Sequence, residues 1–290
     1  MDRADVGVIG GSGLYEMEGL RDLRQVEVQT PFGLPSDALT IGTLDDVRVA
    51  FLPRHGRGHR LLPSEVPYRA NIFALKLLGV RTIVSASAVG SLREDYRPMD
   101  MAIPDQLFDR TKARPSTFFG EGIVAHVGLA YPFCHQVSEA LSAASRPVVE
   151  RTHEGGTYVC IEGPTFSTFA ESVTYRKLGF DIIGMTGLPE AKLAREAEIC
   201  YGMLAQVTDY DVWHEEHENV TSDMVMQNVA RNVANAKAII RDVLPRLQAI
   251  GDCTCQHALQ GAIVTSPGAM AEEARVRLEP LLKNYVTQSV

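Results

Sequence analysis

The sequence alternates short apolar stretches with helical stretches, and this order constrains the fold more than any other feature. Helices are expected at 71–79, 166–179 and 190–199. The stretches around them are short, rich in β-branched residues and bounded by Gly, Pro or Asp, as buried strands are: VGVIG, ALTIGTL, VRVAFLP, RTIVSASAVG, YVCIEG, FDIIGMT and YGMLAQVTDYD. This alternation predicts an α/β fold with a central mixed, largely parallel β-sheet flanked by helices.

A long amphipathic helix is expected after Ser222. Its apolar residues keep an i, i+3/i+4 rhythm, disturbed near the end by Pro245: Val225, Val229, Val233, Ala236, Ile240, Val243 and Leu247. No internal repeat or linker-like stretch interrupts the chain. We therefore predict one domain over residues 1–290.

The charge and hydropathy of the chain exclude several kinds of partner. The formal net charge is −8, whereas nucleic acids and anionic membranes select basic surfaces. No apolar run approaches the ~20 residues that a membrane-spanning helix needs, and no signal-peptide pattern follows Met1. We expect a soluble cytoplasmic protein that binds neither nucleic acid nor membrane. A small anion remains a suitable ligand if cations gather locally.

The cysteines give a weak metal signal. Cys134, Cys160 and Cys200 stand in apolar surroundings and are expected in the core. Cys253 and Cys255 form a C-x-C pair, but a zinc site needs about four ligands, and no second pair stands at a suitable spacing. We predict no metal site and two inert thiols, with an exposed redox-sensitive pair as the alternative.

The first strand runs into a Gly-rich turn, GGSG at 10–13. No Lys-Ser/Thr follows as in a nucleotide-triphosphate loop, and Glu16 stands where a dinucleotide fingerprint needs its third glycine. The turn offers backbone N–H groups and the Ser12 hydroxyl, which suit one small anion. A plain structural turn explains this stretch alone equally well.

Further polar clusters follow the ends of predicted strands. They mix cations, hydroxyls, an aromatic ring and carboxylates: PRHGRGHR at 53–60, SASAVGSLRED at 85–95, IEGPTFST at 161–168, GMTGLPE at 184–190 and TDYD at 208–211. Ligands of parallel sheets gather at the carboxyl ends of strands. Together the clusters therefore predict an enzyme site that holds an anion.

Several longer segments resemble the trimeric purine nucleoside phosphorylases. They are GVIGGSGLY, TPFGLPSD, RHGRGHRLLPSEVPYRANIFALK, GSLRED, IEGPTFSTFAES, GMTGLPEAKLARE and TDYDVWHEEHE. The resemblance extends over about residues 5–250. It implies a homotrimer or a dimer of trimers with sites near the subunit interface. It also implies phosphorolysis of 5′-methylthioadenosine to adenine and 5-methylthioribose 1-phosphate, in purine and methionine salvage. Orthophosphate would be a co-substrate, with no metal or organic cofactor.

The resemblance also implies roles for individual residues. The phosphate site would consist of Ser12, Arg54, His55, Ser87, Ala88 and Thr186. The nucleoside would contact Met185, Phe166, Tyr210 and the catalytic carboxyls Asp209 and Asp211, together with His126 from the neighbouring subunit. Of these, Asp209 is expected to protonate the purine at N7, and Asp211 to hold the amino edge and tune its neighbour.

Four positions bear on which purine nucleoside fits. Similar 6-oxopurine enzymes carry Asn in place of Asp209 and Glu in place of Ser167, so both residues favour adenine. Ser222 stands where those enzymes place a His that bonds the 5′-hydroxyl, which leaves room for a methylthio group. Gly184 departs from the usual Asn and keeps methylthioinosine or another 6-oxopurine nucleoside as an alternative.

Two further alternatives stay open at this point. A related nucleosidase would use water as the nucleophile, but Arg54 and His55 suggest phosphate. A nucleoside- or phosphate-binding sensor would lack turnover, but the paired carboxyls speak against it.

Overall fold

In the computed structural model, which describes residues 3–11, 13–14, 17–214 and 220–286, the strands form one sheet. They are β1 Val6–Gly10, β2 Arg21–Val26, β3 Leu39–Leu44, β4 Val47–Pro53, β5 Thr82–Ser91, β6 Met101–Ile103, β7 Gln106–Arg110, β8 Thr152–Glu154, β9 Thr157–Ile161, β10 Ile182–Gly184 and β11 Cys200–Asp209.

The strand order explains where polar side chains can meet. The main path is β2-β3-β4-β1-β5-β10-β9-β7, and β11 pairs with β5 and β6, while β8 pairs with β6. Strands β4, β1, β5 and β11 run parallel to one another, whereas β3 with β4, β10 with β5 and β11 with β6 are antiparallel. The mixed, largely parallel sheet is as predicted, and the carboxyl ends of its four central strands share one edge.

Helices pack around this sheet. They are α1 Tyr68–Leu77, α2 His135–Ser145, α3 Phe169–Lys177, α4 Gly187–Glu196, α5 Ser222–Gln248, α6 Glu272–Arg277 and α7 Glu279–Leu282, with 3₁₀ turns at Thr254–His257 and Pro267–Ala269. Within the described ranges, no helix combines the length and the apolar character that crossing a membrane requires.

Several elements were not predicted, for different physical reasons. Strand β2 is almost fully exposed and carries alternating charges, so it shows no apolar pattern. Strands β6 and β8 are only three residues long. Helix α2, by contrast, buries Val137, Leu141 and Ala144 at helical spacing, a signal that the sequence did contain.

The long helix α5 begins at Ser222 as predicted, but only its second half packs into the core. Ala236, Ile240 and Val243 are fully buried. Val225 and Val229 are half-buried, although the pattern placed them on the same face. The first turns of α5 therefore extend past the core toward the edge where β11 ends.

The prediction that Cys253 and Cys255 lack a second pair of ligands is wrong. Cys134 and Cys200, distant in sequence, join them in one buried cluster. The two C-x-C thiols are 8% and 5% exposed, so an exposed pair is also wrong. All five cysteines are free thiols, and Cys160 lies buried elsewhere.

Candidate active site

The phosphate residues expected from the sequence lie around three adjacent parallel strands, β4, β1 and β5. Gly10 at the end of β1 pairs with Pro53 at the end of β4, and Ile9 pairs with Ser85 in β5. The N–H of Arg54 donates to the carbonyl oxygen of Gly10 at 3.0 Å. This brings the Gly-rich turn next to the basic loop, although Ser12 itself lies outside the described residues.

Arg54 is buried in an ion pair with Glu190 of α4. Its Nε donates to Oε1 at 2.5 Å and Nη2 donates to Oε2 at 3.2 Å. Nη2 also donates to Ser85 Oγ at 2.7 Å and Nη1 to the Ala86 carbonyl at 3.0 Å. Burial alone would lower the pKa of Arg54, but Glu190 raises it, so the guanidinium stays charged. Its charge is balanced inside the protein.

His55 is neutral at pH 7. Burial, and then the charge of Arg54, lower the pKa of His55 to about 4. Its Nδ1 lies 2.9 Å from the carbonyl oxygen of Leu61, so the neutral ring carries its proton on Nδ1 and leaves Nε2 as an acceptor. The ring stacks on His59 with centroids 4.3 Å apart. The site therefore holds neutral hydrogen-bonding groups around one cation, Arg54, whose charge is balanced by Glu190.

Ser87 and Thr186 bring two hydroxyls together. Their oxygens are 2.7 Å apart, and both side chains are buried. The hydroxyl of Tyr158 accepts the N–H of Thr186 at 3.2 Å and that of Gly187 at 3.4 Å, which fixes the turn before α4. Ala88 follows on the same strand and is half-buried. These hydroxyls and strand-end amides are the donors that an anion needs.

A β-bulge aims Asp209 toward the site. The β5–β11 register runs from Val89 opposite Val207 to Gly90 opposite Asp209, so Thr208 is the extra residue. Asp209 Oδ2 accepts from the Thr208 hydroxyl at 2.7 Å, and Oδ1 accepts from the N–H of Asp211 at 2.8 Å. A β-carbon at position 90 would lie 2.9 Å from Asp209 Oδ1, so any larger residue there must displace that carboxyl oxygen.

The two carboxyls differ in their surroundings. Burial raises the pKa of Asp209 to about 6, with a smaller contribution from the charge of Asp211. Burial also raises the pKa of Asp211, against the opposite effect of the Ser172 and Ser167 hydroxyls. Asp211 holds a left-handed backbone, φ 52°, which costs a residue with a β-carbon about 1–2 kcal/mol.

Unpaired polar atoms mark a surface beside Asp211. Its Oδ2 and the Ser167 hydroxyl are buried without a hydrogen-bond partner of normal length among the described residues. Buried polar atoms are normally paired, so these two are suited to a polar ligand edge. Phe166, next to Ser167, is 37% exposed and offers an aromatic face.

Met185 lies between two loops that Arg114 holds together. A β-carbon at Gly163, φ +67°, would lie 2.6 Å from Met185 Sδ. Buried Arg114 donates through Nη1 to the carbonyls of Met185 at 2.6 Å and Leu188 at 2.7 Å, and through Nη2 to that of Glu162 at 2.6 Å. Arg114 is thus a positioning residue for the half-buried Met185.

Three expected substrate residues are not brought into this group. The Tyr210 ring packs edge-on against Trp213, with centroids 5.7 Å apart, and its hydroxyl donates to the Glu94 carbonyl at 3.4 Å. We assign it to packing instead. His126 is exposed, and its backbone N–H donates to the Ala262 carbonyl oxygen at 2.9 Å. Ser222 is also exposed, at the first turn of α5.

The sequence analysis missed Glu190, Tyr158, Tyr201 and Arg114. Glu190 stands on an amphipathic helix, where a charge usually faces solvent. Here it is fully buried, and Tyr201 donates to its Oε2 at 3.0 Å. The two tyrosines lie inside apolar strands and gave only a packing signal. Arg114 follows a strand without any motif, so no local pattern marked it.

The chain belongs to the phosphorylase superfamily, whose family model matches residues 5–245. It is 56% identical to the S-methyl-5′-thioadenosine phosphorylase of Gloeobacter violaceus over 98% of this chain and 96% of that one. It is 55% identical to the enzyme of the same name from Geobacter sulfurreducens, over 97% and 99% of the two chains. Within the superfamily, it is therefore a member of the S-methyl-5′-thioadenosine phosphorylase family.

Solved structures agree with this assignment. A methylthioadenosine phosphorylase from an Antarctic soil metagenomic library matches with a TM-score of 0.93 and 52% identity, covering 97% of this chain and all of that one. A Schistosoma mansoni methylthioadenosine phosphorylase in complex with adenine matches with a TM-score of 0.84 and 36% identity, covering 90% and 99%. The resemblance found in the sequence, and the nucleoside phosphorylase fold that it implied, are confirmed.

Proposed function

We propose that the chain catalyses the phosphorolysis of S-methyl-5′-thioadenosine, giving adenine and 5-methylthioribose 1-phosphate. The observation that carries the proposal is the buried carboxyl of Asp209, whose pKa is raised to about 6, at the same sheet edge as the hydroxyl and amide donors around Thr186. Relatives at 56% and 55% identity bear the name of that activity.

Orthophosphate would bind where β1, β4 and β5 end. Ser87, Thr186 and the amides of the Gly-rich turn donate to its oxygens, and the neutral His55 ring accepts a hydrogen from a P–OH group. Because Glu190 balances Arg54, the pocket orients the phosphate without quenching its negative charge. An oxygen of this phosphate then attacks C1′ of the ribose, while Met185 covers the sugar.

Asp209 would activate the leaving group. As the bond between C1′ and N9 breaks, electrons flow into the imidazole ring and N7 becomes basic. At a pKa of about 6, about one Asp209 in ten is protonated at pH 7, whereas an unperturbed Asp gives about one in a thousand. This carboxyl donates its proton to N7, and adenine leaves as the neutral base.

Adenine fits this site better than a 6-oxopurine. Asp211 Oδ2, which has no hydrogen-bond partner of normal length among the described residues, is an acceptor for the 6-amino group. Ser167 offers a hydroxyl in place of a carboxylate that would hold N1–H of a 6-oxopurine. Solved relatives that bind adenine support this choice. Phosphorolysis of methylthioinosine is not favoured.

We also propose that three chains associate, alone or as a dimer of trimers, and that exposed His126 reaches a neighbour's nucleoside. The reaction uses only the two small-molecule substrates, with no metal or organic cofactor taking part. The free thiols fit a reducing cytoplasm.

A substrate panel with and without phosphate tests the proposed reaction. Methylthioadenosine, adenosine, methylthioinosine and inosine would each be assayed for release of the free base. We expect phosphate-dependent adenine release, fastest with methylthioadenosine. Equal rates without phosphate would indicate a hydrolase, faster turnover of methylthioinosine would indicate a 6-oxopurine enzyme, and binding without release would indicate a sensor.

A further inference from the structure

Four cysteines from three separate parts of the chain meet in one buried cluster. The sulfur atoms of Cys134, Cys200, Cys253 and Cys255 all lie within 4.8 Å of one another. Their side chains belong to residues that are 2%, 0%, 8% and 5% exposed. The proposed reaction makes no use of them, because the cluster lies at the amino end of β11, ~30 Å of strand away from Asp209.

The spacing of these sulfurs is compatible with four ligands around one metal ion. The Cys134 and Cys253 sulfurs are 3.6 Å apart. Zinc–sulfur bonds of ~2.3 Å in tetrahedral geometry place ligand sulfurs ~3.8 Å apart, whereas a disulfide requires ~2.05 Å. The cluster is therefore much closer to four ligands around one ion than to two bonded pairs.

The backbone holds each ligand segment in place. Cys134, at the start of α2, donates its N–H to the Tyr201 carbonyl at 2.8 Å. Cys200 begins β11 and donates its N–H to the Arg81 carbonyl at 3.0 Å. Cys253 precedes a 3₁₀ turn in which its own carbonyl accepts the Gln256 N–H at 2.8 Å. The ligands are thus pre-organised by secondary structure.

Polar neighbours suit a negatively charged thiolate group. Gln256 Nε2 donates to Cys200 Sγ at 3.8 Å, and Gln256 Oε1 accepts from Arg81 at 2.8 Å. N–H donors to metal-bound sulfur orient the ligand and stabilise its charge.

We propose that Cys134, Cys200, Cys253 and Cys255 bind one structural Zn²⁺ as a tetrathiolate site. Each thiol loses its proton to solvent when the metal binds, which leaves a tetrahedral complex with a net charge of −2. All four positions are filled by protein sulfur, so no position remains for water or substrate. The site is structural for that reason.

The metal would attach the C-terminal segment to the body of the protein. Cys253 and Cys255 follow α5, while Cys134 immediately precedes α2 and Cys200 begins the central strand β11. Polar contacts also hold the residues after the cluster, among them the bonds from the Leu259 N–H to Glu198 Oε1 at 3.0 Å and from the His126 N–H to the Ala262 carbonyl oxygen at 2.9 Å. Zinc binding would therefore contribute to the folding free energy of this segment.

Metal analysis of the full-length chain tests the proposal. Protein produced with added zinc and purified under reducing conditions should contain one zinc per chain by mass spectrometry of the metal. The Cys253→Ser/Cys255→Ser double variant should lose about tenfold or more of that zinc. Cys160→Ser is the matched control, because Cys160 is equally buried but far from the cluster, and its zinc content should be unchanged.

A second measurement on the wild-type protein tests the proposal even if the double variant fails to fold. Metal-free wild-type protein titrated with Co²⁺ should develop sulfur-to-cobalt charge-transfer bands and the intense visible bands of tetrahedral cobalt, and zinc should displace them. Restoring zinc should raise the melting temperature by ~5 °C or more. Reduced wild-type protein that binds neither metal would overturn the proposal.

Discussion

The guanidinium of Arg54 and the carboxylate of Glu190 form a buried ion pair, with Nε 2.5 Å from Oε1, between residues that stand 136 positions apart. Ser85 and Tyr201 donate further hydrogen bonds to the same carboxylate, both at 3.0 Å. The pair joins the loop after β4 to helix α4 directly behind the proposed phosphate site. Changing either partner leaves a buried charge without its counterion.

Replacing Arg54 should affect phosphate use and stability together. Arg54→Ala is expected to raise KM for phosphate ten- to a hundredfold, because the loop after β4 would lose the ion pair and the hydrogen bonds that hold it beside the phosphate-binding residues. It should also destabilise the fold by about 3–5 kcal/mol, because Glu190 stays buried and unpaired. Arg54→Ala/Glu190→Ala should recover part of the stability but none of the phosphate affinity. Denaturant unfolding and phosphate titrations check both, and an unchanged KM in Arg54→Ala would refute the placement of the anion site.

Removing the Asp209 carboxyl should slow the chemical step. We expect Asp209→Ala to lower kcat on methylthioadenosine by about 10²–10⁴-fold, the usual scale for a general acid. Asp209→Asn should lose much of the activity too, while its relative preference shifts toward 6-oxopurine nucleosides. Asp211→Ala should lower kcat less than Asp209→Ala does. The measurement is kcat at saturating phosphate. A near wild-type rate for Asp209→Ala would show that another group donates the proton to N7.

The raised pKa of Asp209 predicts how activity depends on pH. Protonated Asp209 is the active form and its pKa is about 6, so kcat/KM for the nucleoside at saturating phosphate should fall about tenfold per pH unit well above that value. Asp209→Asn should lack this fall. A wild-type profile that stays flat from pH 6 to 9 would contradict the assignment.

The same pKa has a consequence for stability. The folded value, about 6, lies above the unfolded value of 3.8, so the neutral carboxyl is favoured in the folded state. The stabilising contribution is fully present below the unfolded pKa and is lost as pH rises through about 6. Asp209→Asn should therefore unfold at a higher temperature than wild type at pH 8, and this advantage should shrink at pH 4. Thermal unfolding at both values provides the check.

Tyr158 occupies the space that a side chain at position 184 would need. A β-carbon on Gly184 would lie 2.5 Å from the Tyr158 hydroxyl oxygen, which itself holds the N–H groups of Thr186 and Gly187. Gly184→Ala should displace that hydroxyl and raise KM for phosphate about tenfold. Gly184→Ala/Tyr158→Phe should relieve part of the clash. If Gly184→Ala binds phosphate normally, Tyr158 does not position Thr186.

Ser222 is predicted to set the preference at the 5′ end of the nucleoside. Ser222→His should favour adenosine over methylthioadenosine. The imidazole N–H can donate a hydrogen bond to a 5′-hydroxyl, whereas beside a methylthio sulfur it would have no good acceptor. The exposed position of Ser222 lets this substitution be made without disturbing the core. The ratio of kcat/KM for the two substrates is the measurement, and equal losses on both would remove Ser222 from the 5′ pocket.

The centre of the sheet was predictable because its strands β1, β4, β5 and β11 are largely buried and read as short apolar runs. Strand β11, buried at every residue, is the clearest example. The edge strand β2 was missed because pairing with one neighbour, rather than burial, holds it in place. Local patterns report burial well and report pairing poorly.

The residues of the candidate site likewise differ in how far the local sequence predicts them. Arg54 and Asp209 stand at the ends of the parallel strands β4 and β11, so their position at one edge could be inferred from the parallel order. Thr186 follows β10, which runs antiparallel to β5, so that order does not place it. Glu190 and the cysteine cluster could not be inferred either, because each depends on residues more than a hundred positions apart meeting in space. Gly184 illustrates a third case: its identity follows from the ring of Tyr158, and no feature of the purine is needed to explain it.

Gly90 shows how a residue without functional atoms can be as constrained as the acid beside it. Because a β-carbon at position 90 would lie 2.9 Å from Asp209 Oδ1, closer than such contacts come, every substitution there must move that carboxyl. In a library covering all positions, variants at 90 should be depleted as strongly as those at 209, including Gly90→Ala. Such a library would then show that a glycine near the end of a strand tolerates almost no substitution. The chemistry of glycine itself would not explain that result, whereas its distance to the Asp209 carboxyl does.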